Sequence, residues 1–131
     1  MQETLLCFDY GEKRIGVAIG NTLLREARPL CIVRSETKAA RWAGIEKLVN
    51  EWQPNAFVVG LPRHPDGTPH KMTALCERFA RQLQGRYHLP VYFVDERYSS
   101  AVVDSDATWI DDEAASVILQ QYFNENSQKD Q

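Results

Sequence analysis

The chain has 131 residues, of which 44% are hydrophobic and 25% are charged, a composition typical of one folded domain spanning residues 1–131. This composition excludes disordered, collagen-like, coiled-coil and membrane-spanning proteins. Fifteen Lys and Arg residues against 18 Asp and Glu residues give a formal net charge of −3. No overall basic field therefore attracts nucleic acid, and such a role would depend on local patches and metal ions.

The hydrophobic pattern predicts three strands at the start of the chain. Residues 5–9 form an apolar run that ends in a carboxylate, as in a central buried strand. Residues 15–20 alternate branched aliphatic side chains with Gly or Ala, which predicts a strand with one very small face. Only the turn-like residues 10–13 separate these strands, so they must be antiparallel. Residues 29–33 form the third predicted strand.

From residue 37 onward the pattern alternates helices and strands. In chain order we expect an amphipathic helix that ends before Pro54, a strand at 56–61, a helix at 72–83, a strand at 91–94 and a last helix opened by Asp111. We also expect a short helical turn near 99–106 and a frayed polar tail at 124–131. This order predicts an α/β fold: a mixed five-stranded sheet, with three antiparallel strands and then parallel strands, flanked by helices.

Carboxylates at the ends of the predicted strands indicate a metal site. Asp9 ends the first strand, Glu96 follows the last strand, and Asp111 opens the last helix. Carboxylate oxygens suit Mg²⁺ or Mn²⁺, and two such ions can activate water against a phosphodiester. Each acid also has a plain structural alternative. Asp9 could stabilise a turn, residues 95–97 could form an exposed ion-pair triplet, and Asp111 could cap its helix.

The cysteines and the N-terminus indicate the compartment. Cys7, Cys31 and Cys76 lie among apolar residues without metal-binding spacing, which predicts buried thiols in a reducing environment. The first four residues are not basic, and the following apolar run is too short for a signal sequence or a membrane span. We therefore expect a cytoplasmic protein.

An ordered set of motifs resembles one known family. The motifs are LLCFDYGEKRIGVAIG (5–20), ARPL (27–30), VVGLP (58–62), DGT (66–68), DER (95–97) and IDDEAASVILQ (110–120). In this order and spacing they resemble the YqgF family, also called RuvX. The resemblance implies a ribonuclease H-like fold. It also implies a divalent-metal nuclease that matures the 5′ end of 16S rRNA during ribosome assembly, in a family once predicted to resolve Holliday junctions.

The resemblance also implies roles for individual residues. Asp9, Glu96 and Asp111 match the family's acids, which would bind Mg²⁺ or Mn²⁺, and Asp112 could replace Asp111. For a nuclease acting on structured RNA, or on branched DNA, three cations are candidates for phosphate contacts: Arg14, Lys71 and Arg97.

One departure from the family lies before the last helix. The family carries a longer basic loop there, whereas this chain has only residues 98–110, of which 103–106 are acidic. Either the chain has lost a loop that grips nucleic acid, or the loop is absent from the printed sequence. A non-catalytic ribosome-assembly factor and a nucleotide-binding domain are the alternative functions. The second is disfavoured because the chain is too short for a second lobe to enclose the nucleotide.

Overall fold

A computed structural model describes residues 2–63, 66, 68, 70–95 and 111–126. All eight predicted strands and helices are present in the predicted order. The strands are β1 (Thr4–Asp9), β2 (Arg14–Asn21), β3 (Ala27–Arg34), β4 (Ala56–Leu61) and β5 (Val91–Asp95). The helices are α1 (Lys38–Trp52), α2 (Lys71–Tyr87) and α3 (Asp112–Asn126). The helical turn predicted near 99–106 lies outside the described residues.

The five strands form one sheet in the order β3-β2-β1-β4-β5. β1 pairs antiparallel with β2, and β2 pairs antiparallel with β3. β1 pairs parallel with β4, and β4 pairs parallel with β5. The predicted mixed sheet is therefore confirmed. Its central strand β1 is buried from Leu5 to Asp9, which explains the continuous apolar run in its sequence.

The two faces of the sheet bury side chains of different size. Leu6 and Phe8 of β1 point toward α1 and α2, where Phe8 and Phe79 meet edge to face with centroids 5.6 Å apart. Leu5 and Cys7 point to the opposite face, toward α3. On that face β2 contributes Gly16, Ala18 and Gly20. These small residues let α3 lie close to the sheet.

All three described helices begin at one edge of the sheet. α1 follows the end of β3, where Arg34 pairs with Arg14 at the start of β2, and α2 follows the end of β4. α3 begins where Asp111 meets Gly16. This edge also holds the carboxyl ends of β1, β4 and β5, and we call it the carboxyl edge. Three positive helix ends therefore point toward the region where ligands bind in such sheets.

Three smaller expectations can be compared with the structure. Cys7 and Cys76 are buried as predicted, whereas Cys31 on the outer strand β3 is only half-buried. α3 continues through residues 124–126, so the predicted tail begins later than expected, and residues 127–131 lie outside the described part. None of the described helices combines the length and the apolar composition needed to cross a membrane.

Candidate active site at the carboxyl edge

Asp9 is the buried carboxylate at the end of the central strand. Only 9% of the residue is exposed, and it is one of three buried polar or charged residues among those described. Its cross-strand partner is Gly16 of β2. Because side chains alternate along β1 and Cys7 points toward α3, Asp9 points to that face as well.

Gly16 connects Asp9 to Asp111. A Cβ atom built on Gly16 would lie 1.8 Å from the carbonyl oxygen of Asp111 and 2.2 Å from its carbonyl carbon. The start of α3 therefore occupies the space that a side chain would fill at position 16. Since residues paired across antiparallel strands lie about 5 Å apart, Asp9 and Asp111 are neighbours on one face of the sheet.

Asp111 is the N-cap of α3. Its Oδ1 accepts a hydrogen bond from the backbone N–H of Ala114 at 2.8 Å, and its carbonyl oxygen accepts from Ala115 N–H at 3.1 Å. The plain structural alternative, a helix cap, is therefore a real role of this side chain. The second oxygen, Oδ2, makes no hydrogen bond to any described residue. Capping thus leaves one carboxylate oxygen for a ligand.

Asp112 acts electrostatically on a thiol of the outer strand β3. Burial raises the pKa of the Cys31 thiol, and the nearby Asp112 carboxylate raises that pKa further. Cys31 belongs to β3, which is separated from β1 and Asp9 by the whole of β2. The electrostatic influence of Asp112 is therefore felt at the outer strand, whereas the backbone of Asp111 lies next to the strand partner of Asp9.

The third predicted acid, Glu96, and the predicted phosphate contact Arg97 lie outside the described residues. The preceding residue, Asp95, ends β5 at the carboxyl edge. Its Oδ2 lies 3.9 Å from Nε of Arg63, a half-exposed pair of the kind that contributes little to stability. Within the described residues, no group of three or more His, Cys, Asp or Glu side chains is placed to hold a metal ion. Asp9 and Asp111 are the two candidate acids that the described residues bring together at this edge.

The two described phosphate-contact candidates lie at the carboxyl edge. Arg14 is the exposed first residue of β2, and Lys71 is the exposed first residue of α2. The structure adds Arg34, which is exposed and lies directly opposite Arg14 in the register. Like charges at opposed positions destabilise a sheet, so this pair favours an anionic ligand there. The signal for Arg34 is its position directly after the third predicted strand, and β3 extends one residue beyond the predicted end.

Comparison with known protein families gives a match over nearly the whole chain. The family model described as "RuvX: Holliday junction resolvase" matches residues 3–125. The chain belongs to the RuvX family. A Paraburkholderia xenovorans relative named "Putative pre-16S rRNA nuclease" is 55% identical over 130 residues, covering 94% of this chain and 89% of the relative. A Burkholderia mallei relative of the same name is 55% identical over 128 residues, covering 92% and 88%.

Solved structures resemble this RuvX-family chain in fold. Thermus thermophilus RuvC in complex with a Holliday junction substrate matches with a TM-score of 0.59, at 15% identity, over 95% of this chain and 96% of the other. A second structure of Thermus thermophilus RuvC gives a TM-score of 0.58 at 13% identity, with the same coverage. The predicted ribonuclease H-like fold is therefore confirmed.

Proposed function

We propose that this protein is a metal-dependent nuclease that hydrolyses phosphodiester bonds and processes the 5′ end of pre-16S rRNA. The observation that carries the proposal is the meeting of Asp9 and Asp111 at Gly16, on the carboxyl edge of the sheet. The names of its relatives in the RuvX family support the substrate. In this reading, the precursor of the small ribosomal subunit is the partner and the cytoplasm is the compartment.

The donor atoms at this edge fit Mg²⁺ or Mn²⁺. Asp9 is a nearly buried carboxylate at a rigid strand end, and Asp111 has one oxygen left after capping α3. We assign Glu96 as the third acid because it directly follows Asp95, the last residue of β5. Carboxylate oxygens are the ligands that these hard cations prefer. When bound, the metal would activate the attacking water and stabilise the leaving oxygen.

The chain's own residues would bind and orient the substrate. Arg14 and Lys71 lie exposed at the carboxyl edge, and Arg97 is the third proposed phosphate contact. α2 begins at this edge with Lys71 and has no acidic residue in its first turn, so its positive end is free of compensating carboxylates. Such contacts hold a strand in register without reading its sequence.

The test is a cleavage assay with three single substitutions. Asp9→Asn and Asp111→Asn should each lose most activity and weaken Mn²⁺ binding, because each removes a ligand charge. Asn is as good an N-cap as Asp, so Asp111→Asn keeps the start of α3 and isolates the charge. Asp112→Asn is the matched control: it should keep most activity and cost no more than about 1 kcal/mol of stability.

The assay uses a pre-16S rRNA fragment that includes the 5′ leader, with Mg²⁺, Mn²⁺ or EDTA. If Asp112→Asn is inactive and Asp111→Asn active, Asp112 and not Asp111 is the metal-binding acid at the start of α3. If well-folded Asp9→Asn keeps full activity, the proposed site is wrong. RNA binding without cleavage under every metal condition would instead favour a non-catalytic assembly factor.

A second candidate function is resolution of branched DNA. The description of the matching family model, Holliday junction resolvase, supports it. A four-way DNA junction in the same assay distinguishes the two functions. Faster cleavage of the junction than of the rRNA fragment would favour this second candidate.

A further inference from the structure

A basic pocket lies between α1 and α2, on the face of the sheet opposite Asp9. Its volume is about 160 Å³, and the residues that carry its chemistry are Tyr10, Lys38, Arg41, Arg78 and Phe79. Three of these side chains are cationic, and no Asp or Glu is among the described residues that line the pocket. A pocket with three positive charges and no carboxylate is built for an anion.

Arg41 is held in place for such a ligand. Its Nε donates to Oγ of Ser35 at 2.8 Å, and one Nη donates to the Ser35 carbonyl at 3.2 Å. Ser35 is fully buried, so this anchor is rigid. The guanidinium also lies over the Tyr10 ring, 5.3 Å from its centroid. Two of its five N–H groups are thus used within the described part of the chain, and the others remain for a ligand.

The other two cations are exposed and make no ion pair with any described residue. Lys38 is the first residue of α1, and Arg78 lies on α2. α1 begins at the carboxyl edge and has no acidic residue in its first turn, so its positive end adds to the field of Lys38. Two aromatic side chains that line the pocket are packed together, because Tyr10 stacks on Phe79 with ring centroids 4.7 Å apart.

We propose that this pocket binds a phosphate group of the nucleic-acid strand, outside the catalytic site. The reason for a strand is continuity, since Tyr10 directly follows Asp9 and both lie at the same edge of the sheet. A strand whose reacting phosphate lies at Asp9 could pass over the carboxyl edge, and a neighbouring phosphate would meet Lys38 and Arg41. This inference rests on the proposed function, because it assumes a nucleic-acid substrate.

The test measures binding of the pre-16S rRNA fragment by fluorescence anisotropy in EDTA at several salt concentrations. The double variant Lys38→Gln/Arg78→Gln removes two exposed cations of the pocket. Loss of one phosphate contact should lower the slope of log affinity against log salt by about 0.7–0.9, and affinity in 0.1 M salt by about five- to eightfold. The matched control Lys47→Gln/Arg81→Gln removes the same charges from exposed positions of α1 and α2 outside the pocket. It should bind as the unmodified protein does.

Equal affinity and slope for the double variant and the unmodified protein would overturn the proposal. So would equal losses in the double variant and the control, because these would reflect overall charge alone. Inorganic phosphate and AMP are titrated separately, with intrinsic tryptophan and tyrosine fluorescence as the signal. Saturable binding of either, lost in the double variant while RNA affinity stays unchanged, would assign the pocket to a free phosphate and overturn the strand assignment.

The binding assay does not depend on catalysis, so the two proposals can fail separately. If the double variant cleaves normally and its RNA affinity is unchanged, the phosphate-pocket proposal fails and the nuclease proposal stands. If the unmodified protein cleaves no substrate and only the double variant loses RNA affinity, the phosphate-pocket proposal stands and the nuclease proposal fails.

Discussion

Gly16→Ala should inactivate the enzyme by moving Asp111, although position 16 carries no chemistry. The added Cβ would lie 1.8 Å from the Asp111 carbonyl oxygen, about 1.6 Å short of the 3.4 Å at which ordinary contact begins. The clashing atoms are backbone atoms, so the start of α3 must move. A displacement of about 1 Å in a catalytic group costs about 100-fold in rate, or roughly 2.7 kcal/mol. Overpacking should also cost about 1–3 kcal/mol of folding free energy.

The matched control is Gly85→Ala, which adds the same methyl group to α2. No atom lies within 4 Å of the new Cβ, so this variant should keep full activity and gain about 0.5–1 kcal/mol of stability. Cleavage rate, circular dichroism and thermal unfolding are measured for both variants. In the Gly16→Ala background, Asp111→Asn should cost much less activity than it does alone, because the carboxylate is already displaced. Full activity of a folded Gly16→Ala protein would refute the reasoning.

Three further predictions concern the metal, a core hydroxyl and a thiol. Mg²⁺ or Mn²⁺ should support cleavage and Ca²⁺ should bind without supporting it, because Ca²⁺ takes more ligands in a looser geometry; full activity in excess EDTA would contradict this. Tyr87→Phe should leave thermal stability equal or raised, because the buried Tyr87 hydroxyl has no hydrogen-bond partner among the described residues; a clear loss of stability would reveal one. The pKa of Cys31 is raised above its ordinary 9.0 by burial and by Asp112, so its contribution to stability is complete below pH 9 and is lost as pH rises through the folded-state pKa. The free energy of unfolding should therefore fall more between pH 8 and pH 10 in the unmodified protein than in Cys31→Ser. Asp112→Asn should lower the pH at which Cys31 reacts with iodoacetamide.

The fold could be predicted because local pattern and long-range pairing agree. Residues 15–20 alternate large and very small side chains. This pattern suits a strand whose large side chains fill the core on one face while its small residues let a helix pack closely on the other. The short turn before it forces an antiparallel partner, and the later helices force parallel strands. Element ends were less predictable. β3 extends to Arg34 because its last pair forms with Arg14, a partner 20 residues earlier in the chain.

The candidate site could be predicted only in part. Asp9 could be found because a carboxylate directly after an apolar run is unusual at the end of a buried strand. Spacing could not choose between Asp111 and Asp112, because both precede the inward face of the last helix by about one turn. The proposal of Asp111 rests on the close contact of its backbone with Gly16, which no local pattern encodes. The pocket at Arg41 was missed for the same reason: its cations lie on two helices about 40 residues apart in sequence.

The distribution of charge at the carboxyl edge explains why net charge was a poor guide to function. The three helices in the described part of the chain all present their positive ends there, but their first turns differ. α1 and α2 begin with Lys38 and Lys71 and have no acidic residue in the first turn. α3 is capped by Asp111 and begins with Asp112 and Glu113. The first two helix starts thus attract anions, whereas the third carries carboxylates, the kind of ligand that a divalent cation prefers. A phosphodiester nuclease needs cationic groups for the phosphates and carboxylates for the metal close enough to act on one nucleic-acid strand. In the net charge of −3 these opposite charges largely cancel.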